Sequence, residues 1–288
     1  MINDLQIECS RRDHISLKLE LDYKLEDAVN STNKTSINDI NEFMYFDGKK
    51  LIGYIGICSF GGTKAPLEIT GMVDPDYRRK GVFSKLFELV IIECKRRKAG
   101  NILVLCDRKS VTGQKFLEKV GAVYKYSEYE MYLADESNVI NEEQMRGIKF
   151  RKATNIDAYE VARQNKIYFV DHTNQENNDV PNEKILLPED EEKRGMTIYL
   201  AEKDARVIGK VHLQMINGVG GIYGLGVLPD NRGKGFGRAI LLKSIERLKD
   251  VKAKEIMLQV AAKNAIALKL YKSCGFRETS VMDYFKLG

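Results

Sequence analysis

No stretch of this 288-residue chain approaches the roughly 20 consecutive apolar residues that cross a bilayer. A membrane-spanning helix and a membrane partner are therefore not expected. The opening residues lack a positively charged segment followed by an apolar core, so secretion is not expected either. Cysteines are few and odd in number: Cys9, Cys58, Cys94, Cys106 and Cys274. None forms a C-x-x-C pair or has histidines nearby, which argues against a structural zinc site or a disulfide framework. Reduced thiols in a cytoplasm fit this pattern. The charge bias is also slight, at +5. The basic runs Arg78-Arg79-Lys80 and Lys95-Arg96-Arg97 fall in a turn and on a helix face without interleaved aromatics, so no nucleic-acid partner is expected.

What is present supports two domains. Hydrophobic residues make up 43% of the chain, enough for two cores of about 140 residues each. The most informative stretch is Leu225-Gly226-Val227-Leu228-Pro229-Asp230-Asn231-Arg232-Gly233-Lys234-Gly235-Phe236-Gly237, followed at once by a helical pattern from Arg238. A strand that feeds a helix through such a turn aims free backbone N–H groups and the positive end of a helix dipole at one point, which suits a phosphate. Glycine at 233, 235 and 237 would let the main chain approach a pyrophosphate closely. Two familiar phosphate loops do not fit. Lys234 is followed by Gly235 and not by Ser or Thr, and the glycines alternate strictly where a dinucleotide fingerprint needs G-x-G-x-x-G.

Arg232-x-x-Gly235-x-Gly237 after a strand ending in Val-x-Pro resembles the pyrophosphate-binding motif of the GCN5-related N-acetyltransferases. A second signature of that family is matched by Asn264, Ala267, Leu268, Leu270, Tyr271, Gly275 and Phe276, after the apolar strand Ile256–Val260. The resemblance implies acetyl-CoA, or another acyl-CoA, as cofactor. It implies that Leu225 to Val227 and Arg232 to Arg238 hold it, with Asn264 on the pantetheine side and Tyr271 near the thioester sulfur.

The pattern recurs in the first half. Val73, Pro75, Asp76, Arg78 and Gly81 each precede their counterparts Val227, Pro229, Asp230, Arg232 and Gly235 by 154 residues. A period this long indicates duplicated domains and not a solenoid. The expected organisation is a degenerate first domain at 1–135, a linker at 136–146 and a catalytic domain at 147–288. In the first copy Phe83, Ser110 and Leu117 replace Gly237, Asn264 and Tyr271, so it reads as a partner that has lost catalysis while retaining a positive turn. Strands and helices alternate with hairpins, which predicts an α/β fold with a mixed, mostly antiparallel sheet flanked by helices. In the second copy we expect a strand at Ile148–Lys152, a helix capped by Thr154, a hairpin around Lys203–Arg206 and a terminal hairpin with strands near 276 and 281–286. The first copy is expected to lack the first strand.

The resemblance implies transfer of an acetyl group to a primary amine of a small molecule or peptide. Tyr271 is the expected proton donor to the leaving thiolate, and a backbone N–H near Val227 the expected donor to the developing oxyanion. A non-catalytic acyl-CoA sensor and a protein N-terminal or lysine acetyltransferase are the alternatives. The base is not identified. His212 is a candidate, a water chain is another, and Glu68 stands on the corresponding strand of the first copy. On the acceptor side, Tyr168 and His172 lie in a long acidic segment that includes Asp171, Glu176, Asp179, Glu183 and Glu189 to Glu192. Such a rim would draw a cationic amine, unless it is only a solvated loop. The two domains are able to pair with each other, and the sequence does not specify oligomeric state.

Overall fold

A computed structural model describes residues 1–22, 24–25, 40–59, 66–134, 147–169 and 185–288. The chain forms two compact units, and neither is a continuous stretch. The first comprises Met1–Tyr129, Ala261–Lys263 and Ser280–Gly288, and the second Glu130–Val260 and Asn264–Thr279. These units differ from a single cut between 135 and 147, and the expected linker at 136–146 lies outside the described residues.

The first unit opens with helix α1 (Ile2–Asp13). Strands β1 (Glu42–Asp47), β2 (Lys50–Cys58) and β3 (Leu67–Val73) form an antiparallel meander. Helix α2 (Val82–Arg96) then leads to β4 (Ile102–Asp107), and α3 (Val111–Lys119) to β5 (Val123–Leu133). Strand β2 is apolar on both faces because both are covered. Ile52, Ile55 and Ile57 pack with Val82, Leu86 and Val90 of α2, whereas Leu51 and Tyr54 pack with Leu5 and Cys9 of α1. Among the described residues no strand precedes β1.

The second unit follows the same plan with a strand added. It runs through β6 (Lys149–Lys152), helix α4 (Ala158–Phe169), the short α5 (Pro188–Lys193), β7 (Met196–Lys203), β8 (Arg206–Ile216) and β9 (Val219–Val227). Helix α6 (Phe236–Asp250), β10 (Glu255–Ala261), α7 (Ala265–Ser273) and β11 (Phe276–Lys286) complete the chain. Thr154 caps as expected, forming a capping box with Asp157 ahead of α4. The β7–β8 hairpin turns at Asp204 and Ala205, both with positive φ (50° and 59°). Helix α6 buries Ile240, Leu241, Ser244, Ile245 and Leu248, the three- and four-residue spacing of a core-facing stripe.

The expected terminal hairpin does not form. Phe276–Lys286 is one strand, and its end, Met282–Lys286, pairs antiparallel with Leu103–Asp107 of β4. The pairing supplies a partner for an edge that β3 leaves open, and it stacks buried Met282 and Tyr284 on Leu103 and Leu105.

Candidate active site

In each unit a parallel strand pair starts and then separates. Strand β9 pairs with β10 only from Val219 to Ile222, against Glu255 to Leu258. The parallel register ends at that rung, while β9 continues to Val227. On its other side β9 is bulged. The register against β8 shifts between Lys210 and His212, and Gly224 takes φ 55° there. A strand that leaves its neighbour opens a slot with unpaired backbone groups along its wall.

The cradle closes the end of this slot. After a 3₁₀ turn at Pro229–Asn231, Gly233 and Gly235 both adopt left-handed backbone (φ 74° and 82°), and Gly235 is the N-cap of α6. No side chain caps this helix, and a Cβ at either glycine would meet only open space. The first N–H groups of α6 are thus presented outward, as an anion requires. The Arg232 Nε donates to the Val227 carbonyl at 3.0 Å and Lys234 Nζ to the Asp230 carbonyl at 2.7 Å, which holds both cations at the turn. Arg238 NH1 donates to Ser273 O and Oγ (3.2 and 2.8 Å), while its buried Nε has no partner. Gly237 differs from its neighbours. It lies inside the helix, and its Cβ would touch Leu270 and Val227 at ordinary distances of 3.5 and 3.7 Å. Its position marks where β9, α6 and α7 converge. Phe236 carries the Lys203 ammonium 5.9 Å from its ring centroid.

Asn264 caps α7, its Oδ1 accepting from the Ala267 N–H at 3.1 Å. Tyr271 is 8% exposed on the same helix, next to Leu270, and burial pushes its phenol up to about 12. A phenol so shifted keeps its proton at neutral pH and is suited to donate it.

On the face of β9 toward α4, Gly226 lies under Tyr168. A Cβ there would stand 2.2 Å from the ring, so only glycine fits. The Tyr168 hydroxyl donates to Gln164 Oε1 at 2.8 Å, and burial raises its pKa. Beside it lies Lys210, fully buried, whose Nζ is 5.7 Å from the Tyr168 ring centroid, 2.9 Å from His212 Nε2 and 3.2 Å from the Gly224 carbonyl. Burial lowers Lys210 to about 7; burial and then the Lys210 charge lower His212 to about 3. Two of the three expected acceptor-side residues, Tyr168 and His212, therefore meet around a lysine that sequence reasoning missed. The sequence carried no local signal for it, since an isolated lysine in a strand reads as outward-facing. His172 lies outside the described residues, as do Asp171, Glu176, Asp179 and Glu183. The described part of the acidic rim is already engaged. Glu189 meets Asn155, and Asp190, Glu191 and Glu192 pair with Lys193, Arg194 and Lys152.

The first unit repeats the cradle on different terms. Gly81 caps α2 at φ 79°, but Arg79 occupies the left-handed step at φ 63°. Arg78 is bound by Asp13, with NH2 at 2.7 Å and NH1 at 3.0 Å. A cavity of about 460 Å³ runs from Arg78 and Gly81 past Phe83 and Thr70 to Cys106 and Met282. Leu117 is 2% exposed at the Tyr271 position, and Ser110 caps α3 as Asn264 caps α7. Glu68 on β3 is raised to about 7 by burial, against the opposing pull of Lys18. All five cysteines are free thiols, and no group of three or more His, Cys, Asp and Glu side chains is placed to hold a metal among the described residues. No helix among them is long and apolar enough to cross a membrane.

Two strand–cradle–helix units with splayed parallel strands define a tandem acyltransferase fold. The chain belongs to the Acetyltransferase (GNAT) family, whose model matches residues 6–122 and again 160–276. It is 40% identical over 88 residues to a mycothiol acetyltransferase of Thermomonospora curvata, a match covering 29% of each chain. Aligned to that of Clavibacter michiganensis subsp. michiganensis, it is 26% identical over 239 residues, covering 82% of this chain and 76% of the relative. The match to the first of these relatives thus spans less than a third of its length. A GCN5-related N-acetyltransferase from Sphaerobacter thermophilus has the same fold, with a TM-score of 0.71 at 15% identity over 99% of this chain and 90% of that one. Enzymes of this family use acetyl-CoA. The outward N–H groups of α6, the open space at Gly233 and Gly235 and the unpartnered Arg238 Nε fit its phosphates.

Proposed function

We propose that the second repeat transfers an acetyl group from acetyl-CoA to the primary amine of a small molecule, with Tyr271 as the proton donor. Buried Tyr271 on α7, beside the residue that meets the cradle helix, carries this reading. A cofactor sensor needs the cradle but has no use for a phenol held protonated there. The names of the relatives, mycothiol acetyltransferases, support a small-molecule amine as acceptor.

Gly233, Gly235 and the first turn of α6 would bind the pyrophosphate, with Arg232, Lys234 and Arg238 around it. Bound acetyl-CoA supplies the acetyl group as a thioester. The backbone of residues 225–227 lines the slot and orients the reacting carbonyl. Tyr271 then gives its phenolic proton to the departing sulfur.

Native mass spectrometry counts acetyl-CoA per chain, and amine-dependent thiol release measures transfer. One molecule bound, lost in Gly235→Glu, together with transfer to small amines, is the expected result. Binding without transfer to any amine would leave a sensor, and transfer only to peptides a protein acetyltransferase. No binding at cofactor concentrations well above micromolar would remove the reading altogether.

A further inference from the structure

The proton donor of the proposed transfer stands on a helix that cannot hold itself. Helix α7 has nine residues, too few for stability without tertiary contacts, and Tyr271 is its one buried side chain. Burial of one ring does not by itself fix how the helix is turned about its axis. Proton transfer needs tighter control than that, since misplacement by about 1 Å can cost about 10²-fold in rate.

Leu270 and Ser273, three positions apart, share the face of α7 turned to the first turn of α6. Leu270 meets the Gly237 position, where a Cβ would lie 3.5 Å from its side chain. Ser273 is the last residue of α7, and its carbonyl is one of those that a helix end leaves without an intrahelical donor. One terminal guanidinium nitrogen of Arg238, the third residue of α6, donates to that carbonyl at 3.2 Å and to Ser273 Oγ at 2.8 Å. Ser273 Oγ in turn donates to the Leu270 carbonyl at 2.7 Å. The Cys274 N–H donates to the Tyr271 carbonyl at 3.0 Å, so the held end and the backbone of the phenol belong to one turn. The charge is well directed. A cation in the first turn of α6 opposes the dipole of its own helix, whereas the C-terminal end of α7 is a negative end.

The first repeat joins the same two helices by other means. At the offset of 154, Phe83 and Phe116 replace Gly237 and Leu270 and pack edge-on at 4.7 Å. Ser84 and Lys119 replace Arg238 and Ser273, so neither half of the polar contact is kept, and Leu117 stands where Tyr271 does. An aromatic lock needs a ring at position 237, where the second repeat has glycine. The polar contact occurs in the repeat that has a proton to place.

We propose that Arg238 is a positioning residue: it braces the end of α7 on the cradle helix and so fixes where the Tyr271 hydroxyl stands. The assignment rests on the acetyltransfer reading for what that hydroxyl does. It is distinct from any charge that Arg238 lends the pyrophosphate. The two separate at Ser273, which is exposed and lies outside the cradle.

The test breaks the brace from the α7 side with Ser273→Lys, the residue of the first repeat, which sets a cation against Arg238. In the free protein, hydrogen exchange of the Cys274 and Gly275 amides, bonded to the Tyr271 and Lys272 carbonyls, should speed by about tenfold or more. Arg238→Met, which removes the donor, should speed the same amides, and Ser273→Thr, which keeps the hydroxyl, should match the wild type. Unchanged exchange in Ser273→Lys and Arg238→Met overturns the brace, and this readout needs neither cofactor nor acceptor. Transfer to D-glucosamine is then followed by thiol release. We expect Ser273→Lys to lower kcat by about 10- to 10²-fold while acetyl-CoA binds as it binds the wild type. In a Tyr271→Phe background the same substitution should cost nothing further, because the hydroxyl it misplaces is absent. A merely structural contact would not show that dependence. Losses that multiply in the double variant, or an unchanged kcat in Ser273→Lys, overturn the positioning role even where acetyl transfer stands. A wild type that binds acetyl-CoA but transfers to no amine counts against the acetyltransfer reading, and the exchange rates still decide whether Arg238 holds α7.

Discussion

At one step of the cradle the second repeat places Gly233 at φ 74°, and at the matching step the first places Arg79 at φ 63°. The backbone path has been kept while the residue that made it inexpensive has been replaced. The same holds nearby. Among the described residues Arg232 donates to the Val227 carbonyl, whereas Arg78 donates to the Val73 carbonyl and is also neutralised by Asp13 at the end of α1. Phe83 replaces Gly237 and stacks edge-on with Phe116 at 4.7 Å, which turns a convergence point of three elements into an aromatic core contact. Leu117 lies as deeply buried as Tyr271 but has no proton to give. Fold and chemistry have therefore separated. Capping, strand splay and turn geometry are common to both repeats, and the phenol and the left-handed glycine pair on which the proposed function rests occur in one.

The largest effect that would sharpen this contrast is at Tyr271. Tyr271→Phe should lower turnover by about 10²–10⁴-fold with acetyl-CoA affinity unchanged, read by steady-state kinetics beside a binding isotherm. Unchanged kcat with saturating amine would erase the distinction between Tyr271 and Leu117. Next comes the cradle. Gly235→Glu forces a side chain into left-handed backbone, at about 1–2 kcal/mol, and sets a carboxylate against phosphate. Native mass spectrometry should show binding abolished in that variant and preserved in Gly81→Glu. A second acetyl-CoA on the wild type, lost only in Gly81→Glu, would show that the 460 Å³ cavity of the first unit is a working site despite Asp13.

A third effect concerns stability. The folded pKa of Lys210 lies below its unfolded value, so the unfolded chain binds more protons between the two. No penalty exists above about 10.5; it grows as pH falls and is complete below about 7. Lys210→Met should therefore be more stable than the wild type by on the order of 3 kcal/mol at pH 6, with the gap closing toward pH 10 in thermal melts. An equal gap at both pH values would mean that Lys210 is not desolvated. The smallest effect is at Gly226. A methyl there collides with the Tyr168 ring, so Gly226→Ala should cost about 1–3 kcal/mol in denaturant unfolding.

The repeat, the cradle and most elements of the second copy were legible in the sequence, because turn chemistry and apolar periodicity are local. Thr154 with Asp157, the hairpin at Asp204–Ala205 and the glycines of left-handed backbone all announce themselves within a few residues. Lys210 did not. Periodicity reads an isolated lysine in a strand as an outward residue, and its inward direction depends on a bulge in the neighbouring strand. Gly237 was expected to give freedom to the backbone and instead lies inside α6. The destination of β11 was beyond local reading, since a strand's pattern states which face is buried but not which edge it joins.

That last strand sets a timetable. Because Ser280–Gly288 belong to the first unit, the unit that holds Met1–Tyr129 is completed by residues about 150 positions further along the chain. At about 5–20 residues per second, the ribosome keeps β4 waiting for its partner for roughly ten to thirty seconds after Tyr129 has been made. A chain without Met282–Lys286 would leave β4 with an open strand edge in the first unit, the kind of surface that chaperones and proteases find.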